Sequence, residues 1–418
     1  VDGPVIDLSS PLPLLDSDDL VLDGYDCAGC GAVSENTNEP ADGFNLQIGP
    51  TIDGSGLSSA EPLLSIDADN VQVRGLNLRN GPAAAVSVDG DDNVIEGCLI
   101  GTDRDGLTAA PNQVGIEVLD DEGTVIGPYN VISGNLDEGI YLGGDNPDFG
   151  EIVGNLIGTD ITADAALGNG GHGIEAWGPG GSSVLRYWDV GDGTTSGANI
   201  ISGNGESGIY HFRRVSTWDV LGNSIGTNGA NTEAIPNGEY GVRLEGDSGS
   251  DRVPRYTDFE DNVISGNTLA GVYATDCRDA DFVRNFVGTD PTGLLDLGNG
   301  EEGFYLLSLS EDHLEDFTIG GYTEVDANTI AFNAGDGVRL RRDGSQQNRN
   351  NAVLINTYYG NGGLAVDLEA ASSGDGPGDP GPGGCGNDTS YGNRGASEPV
   401  INTALIDGAD LTIAGTAC

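Results

Sequence analysis

Few residues in this chain of 418 could do chemistry, and their spacing says which kinds. Three histidines are present, His172, His211 and His313. Acid–base catalysis needs such a group, or a carboxylate, within hydrogen-bond reach of a partner, and the three histidines converge on nothing visible in the sequence. Aspartate is plentiful. The segments GTDRDG (101–106), DGDDN (89–93), GDNPD (144–148) and GDGPGD (374–379) cluster the hard oxygen ligands that Ca2+ prefers. None completes an EF-hand or a nonapeptide calcium repeat, and Asx-turn capping accounts for each of them. Asp103 and Asp105 are the leading metal candidates, with Ca2+ the candidate ion and no cofactor required. Of six cysteines, Cys27 and Cys30 form a Cys-Ala-Gly-Cys segment. It lacks the second ligand pair of a zinc site and the βαβ setting of a redox motif. A local disulfide in an oxidising compartment is therefore expected.

The elements that must position these residues are strands. The 70 glycines follow no collagen period, aromatics are sparse, and Asn, Asp, Gly, Thr, Val and Ile dominate. That composition suits many short strands joined by tight turns. Acidic residues number 67 against 16 basic ones, every basic residue is Arg, and the formal charge is -51. Such a surface repels nucleic acid and anionic lipid, so neither is an expected partner. An acidic, lysine-free surface resembles those of proteins from salt-loving microbes, where screening removes most of the self-repulsion. No apolar run approaches the ~20 residues that cross a bilayer. A chain that starts at Val1 and contains no Met fits a processed, exported product.

The hexapeptide NVISGN at 130–135 returns as NIISGN at 199–204, NVISGN at 262–267 and NTIAFN at 328–333. Between these copies lie GNLIGTD (154–160), GNSIGTN (222–228) and RNFVGTD (284–290), with GCLIGTD (97–103) as a degenerate first copy. A shorter signal runs beneath both: Asn, three residues, Gly and then Ile, Val or Phe, as at Asn135–Gly139, Asn204–Gly208 and Asn333–Gly337. One copy per turn of chain, without helical periodicity, predicts an all-β fold, a right-handed parallel β-helix solenoid with a short C-terminal β extension. Asn and Gly belong at its corners because both tolerate left-handed backbone angles, and stacked Asn side chains can hydrogen-bond up the axis. The expected organisation is an N-terminal cap with the first coils over 1–70, a repeat body over 71–371, a Gly/Pro/Asp-rich linker over 372–397 and strands over 398–418. Edge strands at the end of a stack invite pairing, so the irregular Cys27–Cys30 loop is expected to cap the first coil.

Alternation along each Gly–Ile strand sorts the side chains. Val118, Leu142, Ala176, His211, Leu244, Ala274, Leu306, Leu340 and Leu368 point inward, and His211 is expected to be a hydrogen-bonded core residue. Glu117, Tyr141, Glu175, Tyr210, Arg243, Tyr273, Tyr305, Arg339 and Asp367 point outward, with Trp177 and Phe212 in the next outward column. Tyr, Trp and Arg are the composition of a contact surface. The candidate binding face is therefore Tyr141, Glu175, Trp177, Tyr210, Phe212, Arg243, Tyr273, Tyr305 and Arg339. Cys98 and Cys277 fall five coils apart, roughly 24 Å at strand spacing, and are expected as unpaired core residues. Cys385 and Cys418 are expected to pair, and Asn387-Asp388-Thr389 is a glycosylation sequon.

The alternation of NVISGN, GNxIGTD and GNGxxGI, with VIDLSSPLPLL (5–15) and VQVRGLNLRN (71–80) at entry and YGNGGLAVDL (359–368) at exit, resembles the secreted microbial parallel β-helix repeat proteins of cell surfaces and adhesins. The resemblance implies an extracellular or cell-surface, non-catalytic structural or adhesive protein. It fits a subunit of a surface layer, appendage or filament, with a glycan or cell-surface partner. The competing class is a polysaccharide lyase, hydrolase or epimerase acting on acidic glycans. Gly171-His172-Gly173 is similar to the Gly-His-Gly of polygalacturonases, but this chain has no lysine for the Arg-Ile-Lys segment that accompanies it there. The C-terminal runs 400–406 and 410–414 are expected to lodge on a β surface, their own or a neighbour's. Docking on a neighbour would give head-to-tail self-association.

Overall fold

The computed structural model describes residues 3–144, 147–179, 183–247, 253–309, 314–342, 348–370, 400–407 and 410–416. Between Val5 and Ala370 the chain winds through three long parallel sheets of 12, 11 and 14 strands. The first sheet runs from Val5–Asp7 to Asn356–Tyr359, the second from Leu64–Ile66 to Val366–Ala370, and the third from Val21–Asp23 to Asn348–Arg349. Each coil feeds strands to the sheets in turn, and the crossovers give a right-handed parallel β-helix. β-Branched residues fill the interior because they suit a pleated, fully buried surface. On the first sheet Ile100, Ile132, Ile157, Ile201, Ile225 and Ile264 sit directly above one another, and each is fully buried.

Two ladders of asparagine explain the repeated letters. Asn130, Asn155, Asn199, Asn223, Asn262, Asn285, Asn328 and Asn356 form one, each Nδ2 donating to the next Oδ1 at 2.9–3.1 Å. Asn112, Asn135, Asn169, Asn204, Asn237, Asn267, Asn299, Asn333 and Asn361 form the other, at 2.8–3.1 Å. Both ladders advance on every coil. The hexapeptide recurs only on alternate coils because the intervening ones leave the first sheet through a loop. These loops are pinned by single antiparallel bridges, Thr102–Ala109, Thr159–Ala166, Thr227–Ala234 and Thr289–Asp296. The Ser of each SGN corner anchors the loop above it: Ser133 Oγ donates to the Thr159 carbonyl at 2.7 Å and accepts from the Gly158 N–H at 3.0 Å.

A third corner was not legible. One residue per coil lies in the left-handed region at the entry to the third sheet or inside its strand, and most of these are not glycine. Asp19, Asn70, Asp92, Phe149, Tyr187, Thr217, Tyr256, Asp279 and Asp316 have φ between 50° and 61°. Such angles cost roughly 1–2 kcal/mol for an L-residue, and the parallel ladders on either side hold them in place.

The irregular N-terminal loop is not an end cap. Phe44, Leu46 and Ile48 pack against Leu99, Val131, Leu156 and Ile200 on the outer face of the first sheet, and the Phe44 N–H donates to the Ile161 carbonyl at 2.8 Å. The loop lies along the flank because that outer column is aliphatic and needs cover. Cys27 and Cys30 are disulfide-bonded within it. Cys98 and Cys277 are free and buried, as expected. Val400–Asp407 and Asp410–Thr416 pair antiparallel with each other and join none of the three sheets among the described residues. His313, Cys385, Asn387 and Cys418 lie outside the described residues.

Candidate functional site

The outward column of the second sheet is continuous. Glu117, Tyr141, Glu175, Tyr210, Arg243, Tyr273, Tyr305, Arg339 and Asp367 are successive cross-strand partners. Trp177 and Phe212 pair in the neighbouring outward column. Every residue of the candidate binding face thus falls on one wall, in two adjacent files ~4.8 Å apart per step.

The wall is built from a recurring contact. The Arg243 guanidinium lies 4.8 Å from the Tyr210 ring and is paired with Glu239 at 3.0 Å and Glu245 at 2.7 Å. Higher up, Arg339 lies 5.2 Å from the Tyr305 ring and pairs with Glu302 at 2.8 Å. A hollow of about 320 Å³ opens beside this second pair, lined by Gly300, Glu301, Glu302, Tyr305, Ala334, Gly335 and Arg339. Between the two arginines Tyr273 stacks on Tyr240 at 4.6 Å and meets Tyr305 edge-on at 5.6 Å. Trp177 packs on Phe212 at 4.5 Å, with Arg213 over both rings, yet remains 37% exposed.

Lower on the wall the turn before each repeated glycine brings His172 together with carboxylates that the sequence did not single out. Glu138 precedes Gly139, and His172 precedes Gly173 one coil on. Contrary to expectation, His172 does meet partners. It is 4% exposed and packs 4.6 Å from the Tyr210 ring. Its Nδ1 accepts from the Ser207 N–H at 3.1 Å, and its Nε2 lies 2.8 Å from Glu206 Oε2. Burial, with the Arg243 charge, lowers the imidazole to about 4, so Nε2–H is a neutral donor to Glu206. Glu175, 7% exposed, feels the charge of Glu138 from the coil below. Burial, then the Glu138 charge, raises Glu175, and burial raises Glu138. The result is two raised carboxyls, a carboxylate held by an imidazole and a partly exposed indole on three consecutive coils.

His211, the exception in the inward column, is fully buried and edge-on to Trp218 at 4.4 Å. Neither ring nitrogen has a hydrogen-bond partner among the described residues, which corrects the expectation of a hydrogen-bonded core histidine. Its column neighbours are Ala176 and Leu244, which offer no polar atoms beyond backbone already committed to the sheet. Burial lowers it to about 3. The metal candidates fare differently. Asp103 Oδ1 accepts from the N–H groups of Leu107 and Thr108 at 3.1 and 3.3 Å, a turn-capping role. Among the described residues no group of three or more His, Cys, Asp or Glu is arranged to hold a metal ion.

The third sheet carries a second feature missed in the sequence. Glu151, Asp189, Asp219, Asp258 and Asp281 stack as successive outward partners with no basic residue in the file. Burial, then the charges of Asp281 and Asp219, push Asp258 up to about 6.

The fold and the wall define a parallel β-helix with an aromatic, carboxylate-rich outer face. No family model matches the chain, and no curated protein matches it. Among solved structures it is similar to the Dettilon tailspike protein, with TM-score 0.46, 16% identity and 76% of this chain covered. The match spans 57% of the tailspike chain, little more than half its length. It is similar to the A-module of the mannuronan C-5 epimerase AlgE4 of Azotobacter vinelandii, with TM-score 0.44, 14% identity, and 80% and 86% of the two chains covered. It is also similar to PfbA, a surface adhesin of Streptococcus pneumoniae, with TM-score 0.29, 12% identity, and 86% and 94% covered. No helix among the described residues is long and apolar enough to cross a membrane.

Proposed function

We propose that this chain is an extracellular, surface-associated β-helix that binds a carbohydrate chain along the outer wall of its second sheet. The unbroken file from Tyr141 to Arg339 carries the reading. It presents the partly buried rings of Tyr141, Tyr273 and Tyr305 as faces on which sugar rings stack, with Tyr210 buried beneath Arg243 and with carboxylates and guanidinium groups between them that hydrogen-bond hydroxyls. A file with one residue per coil suits an extended polymer lying along the axis. The charge of -51 selects against polyanions, so the favoured ligands are uncharged glycans. Affinity electrophoresis of the full chain through gels containing mannan, glucan, xylan or galactan tests the proposal. Trp177→Ala and Tyr273→Ala should each weaken retention about fivefold, the size of one aromatic contact of about 1 kcal/mol. Migration unchanged by every glycan would refute it.

A further inference from the structure

The two arginines of the wall stand at the same place on their coils but not in the same surroundings. Arg243 and Arg339 each sit directly above a tyrosine, Tyr210 and Tyr305, and each is the second residue after the repeated glycine, Gly241 and Gly337. The turn before that glycine differs. Two residues after the corner asparagine stands Glu239 in NGEYG (237–241) and Gly335 in NAGDG (333–337). In the lower copy the Glu239 carboxylate fills the space beside the guanidinium and pairs with it at 3.0 Å. Gly335 has no side chain to place there, and the hollow of about 320 Å³ opens at that point. The tyrosines differ in the same sense. Tyr210 is 7% exposed, with the His172 ring from the coil below at 4.6 Å. Ala270 takes the place of His172 below Tyr305, which is only half-buried.

We propose that this hollow is a subsite for a single neutral pyranose unit, placed where the aromatic file ends. The inference rests on the glycan-binding reading above and adds the point at which one sugar is recognised as well as stacked. Ligand pockets span roughly 300–1,000 Å³, and this one lies at the small end, which suits one ring. Its chemistry suits hydroxyls. Glu302 is 7% exposed, and its Oε1 accepts from Arg339 Nη1 at 2.8 Å. Its other oxygen has no hydrogen-bond partner among the described residues. A carboxylate accepts at both oxygens, and a sugar hydroxyl supplies the second donor. Adjacent pyranose hydroxyls both donate and accept, so they match the carboxylates of Glu301 and Glu302 beside the Arg339 guanidinium, with the Tyr305 ring against the sugar's apolar face. Two carboxylates to one guanidinium repel a uronate. Above Tyr305 the file continues as Arg339 and Asp367 without another ring, so the last stacked unit sits here.

Saturation-transfer NMR on the full chain, with the methyl glycosides of glucose, mannose, galactose and xylose as probes, tests the subsite. The expected result is transfer to the ring protons of at least one of them. Gly335→Glu copies the lower turn into the upper one and should weaken that binding by about tenfold or more, the worth of one hydrogen bond to a charged group. The glycan gels should still retard this variant through the lower rings, which shows that it folds. Gly335→Ala adds the same Cβ without filling the hollow and should bind as the parent chain does. The φ of Gly335 lies outside the left-handed region, and the Cβ would stand 3.1 Å from the backbone of Glu301 and Glu302 in both variants, so their comparison cancels that crowding. Trp177→Ala, four coils lower and ~19 Å away, should weaken retention in the gels and leave methyl-glycoside binding unchanged. Binding that survives Gly335→Glu would overturn the inference, as would an equal loss in Gly335→Ala or a signal that depends on Trp177 instead. Glycans that retard the chain while no methyl glycoside binds would overturn the subsite and leave the wall reading standing. A chain that binds no glycoside and is retarded by no glycan removes the wall reading on which this one depends.

Discussion

Removing one rung from the middle of an asparagine ladder should cost far more than removing one at its end. Asn223 is 1% exposed. Its Nδ2 donates to Asn262 Oδ1 at 3.1 Å and to the Val190 carbonyl at 2.7 Å, and its Oδ1 accepts from the Asn199 N–H at 3.0 Å and Asn199 Nδ2 at 2.9 Å. Asn223→Ala deletes all four contacts. The backbone N–H of Asn199 then loses its partner in a dry interior, while the Asn199 amide keeps its bond to the Ile152 carbonyl at 2.7 Å. Counting about 1–3 kcal/mol for the orphaned N–H and about 1 kcal/mol for each other lost bond gives roughly 4–6 kcal/mol. Asn361→Ala removes the same kind of contacts from the last rung of the other ladder. That rung is half-buried, water can replace the lost partners, and the cost should be about 1 kcal/mol. Repeat stacks unfold region by region, so the measurement is amide exchange resolved by coil together with urea denaturation. Protection at Asn199 and Ile200 should collapse in Asn223→Ala and stay intact in Asn361→Ala. Equal losses in the two variants would show that the ladder is decoration on a stack held by its apolar core alone.

The carboxylates make acid and salt stabilising. Burial, with Asp91 and Asp89 beside it, pushes Asp121 up to about 7, and Asp258 sits at about 6. Groups raised on folding contribute stability that is full below about pH 4 and is lost as pH rises through their folded values. Melting temperature should therefore fall between pH 5 and pH 8, and less steeply in Asp121→Asn; a rise over that interval would contradict the assignment. Adjacent ionised rungs of the third-sheet file repel by about 0.9 kcal/mol at 4.8 Å in water. Raising NaCl or KCl from 0.1 to 2 M should then raise the melting temperature equally for both salts, and indifference to salt would argue against the file. Iodoacetamide should label neither Cys98 nor Cys277 in the native chain and both after unfolding, as read by peptide mass; native labelling would place one of them at the surface.

What could be read from the letters follows from what every coil must do at the same place. The corner asparagines and the Gly–Ile strands recur because each coil needs the same turn and the same inward methyl groups, so register and the second-sheet wall followed from a period of two within strands. Glu138, Glu206 and the partners of His172 escaped for the opposite reason. They occupy the turn before the repeated glycine, where spacing alone does not say which positions face outward. Each meets a partner more than thirty residues away, as Ser207 meets His172 at a separation of 35. The acidic file on the third sheet was hidden because its coils carry insertions of unequal length, so Asp189, Asp219, Asp258 and Asp281 fall at no fixed interval. The place of the N-terminal loop depended on a surface rather than a period. Leu99, Val131, Leu156 and Ile200 read as ordinary strand residues until the register put all four on the outside. An aliphatic stripe there must be covered by whatever non-repeating chain is at hand, and residues 25–49 are that chain. The same logic bears on the wall. Its aromatic file stands on the outer face of a sheet with no comparable segment of the described chain laid over it.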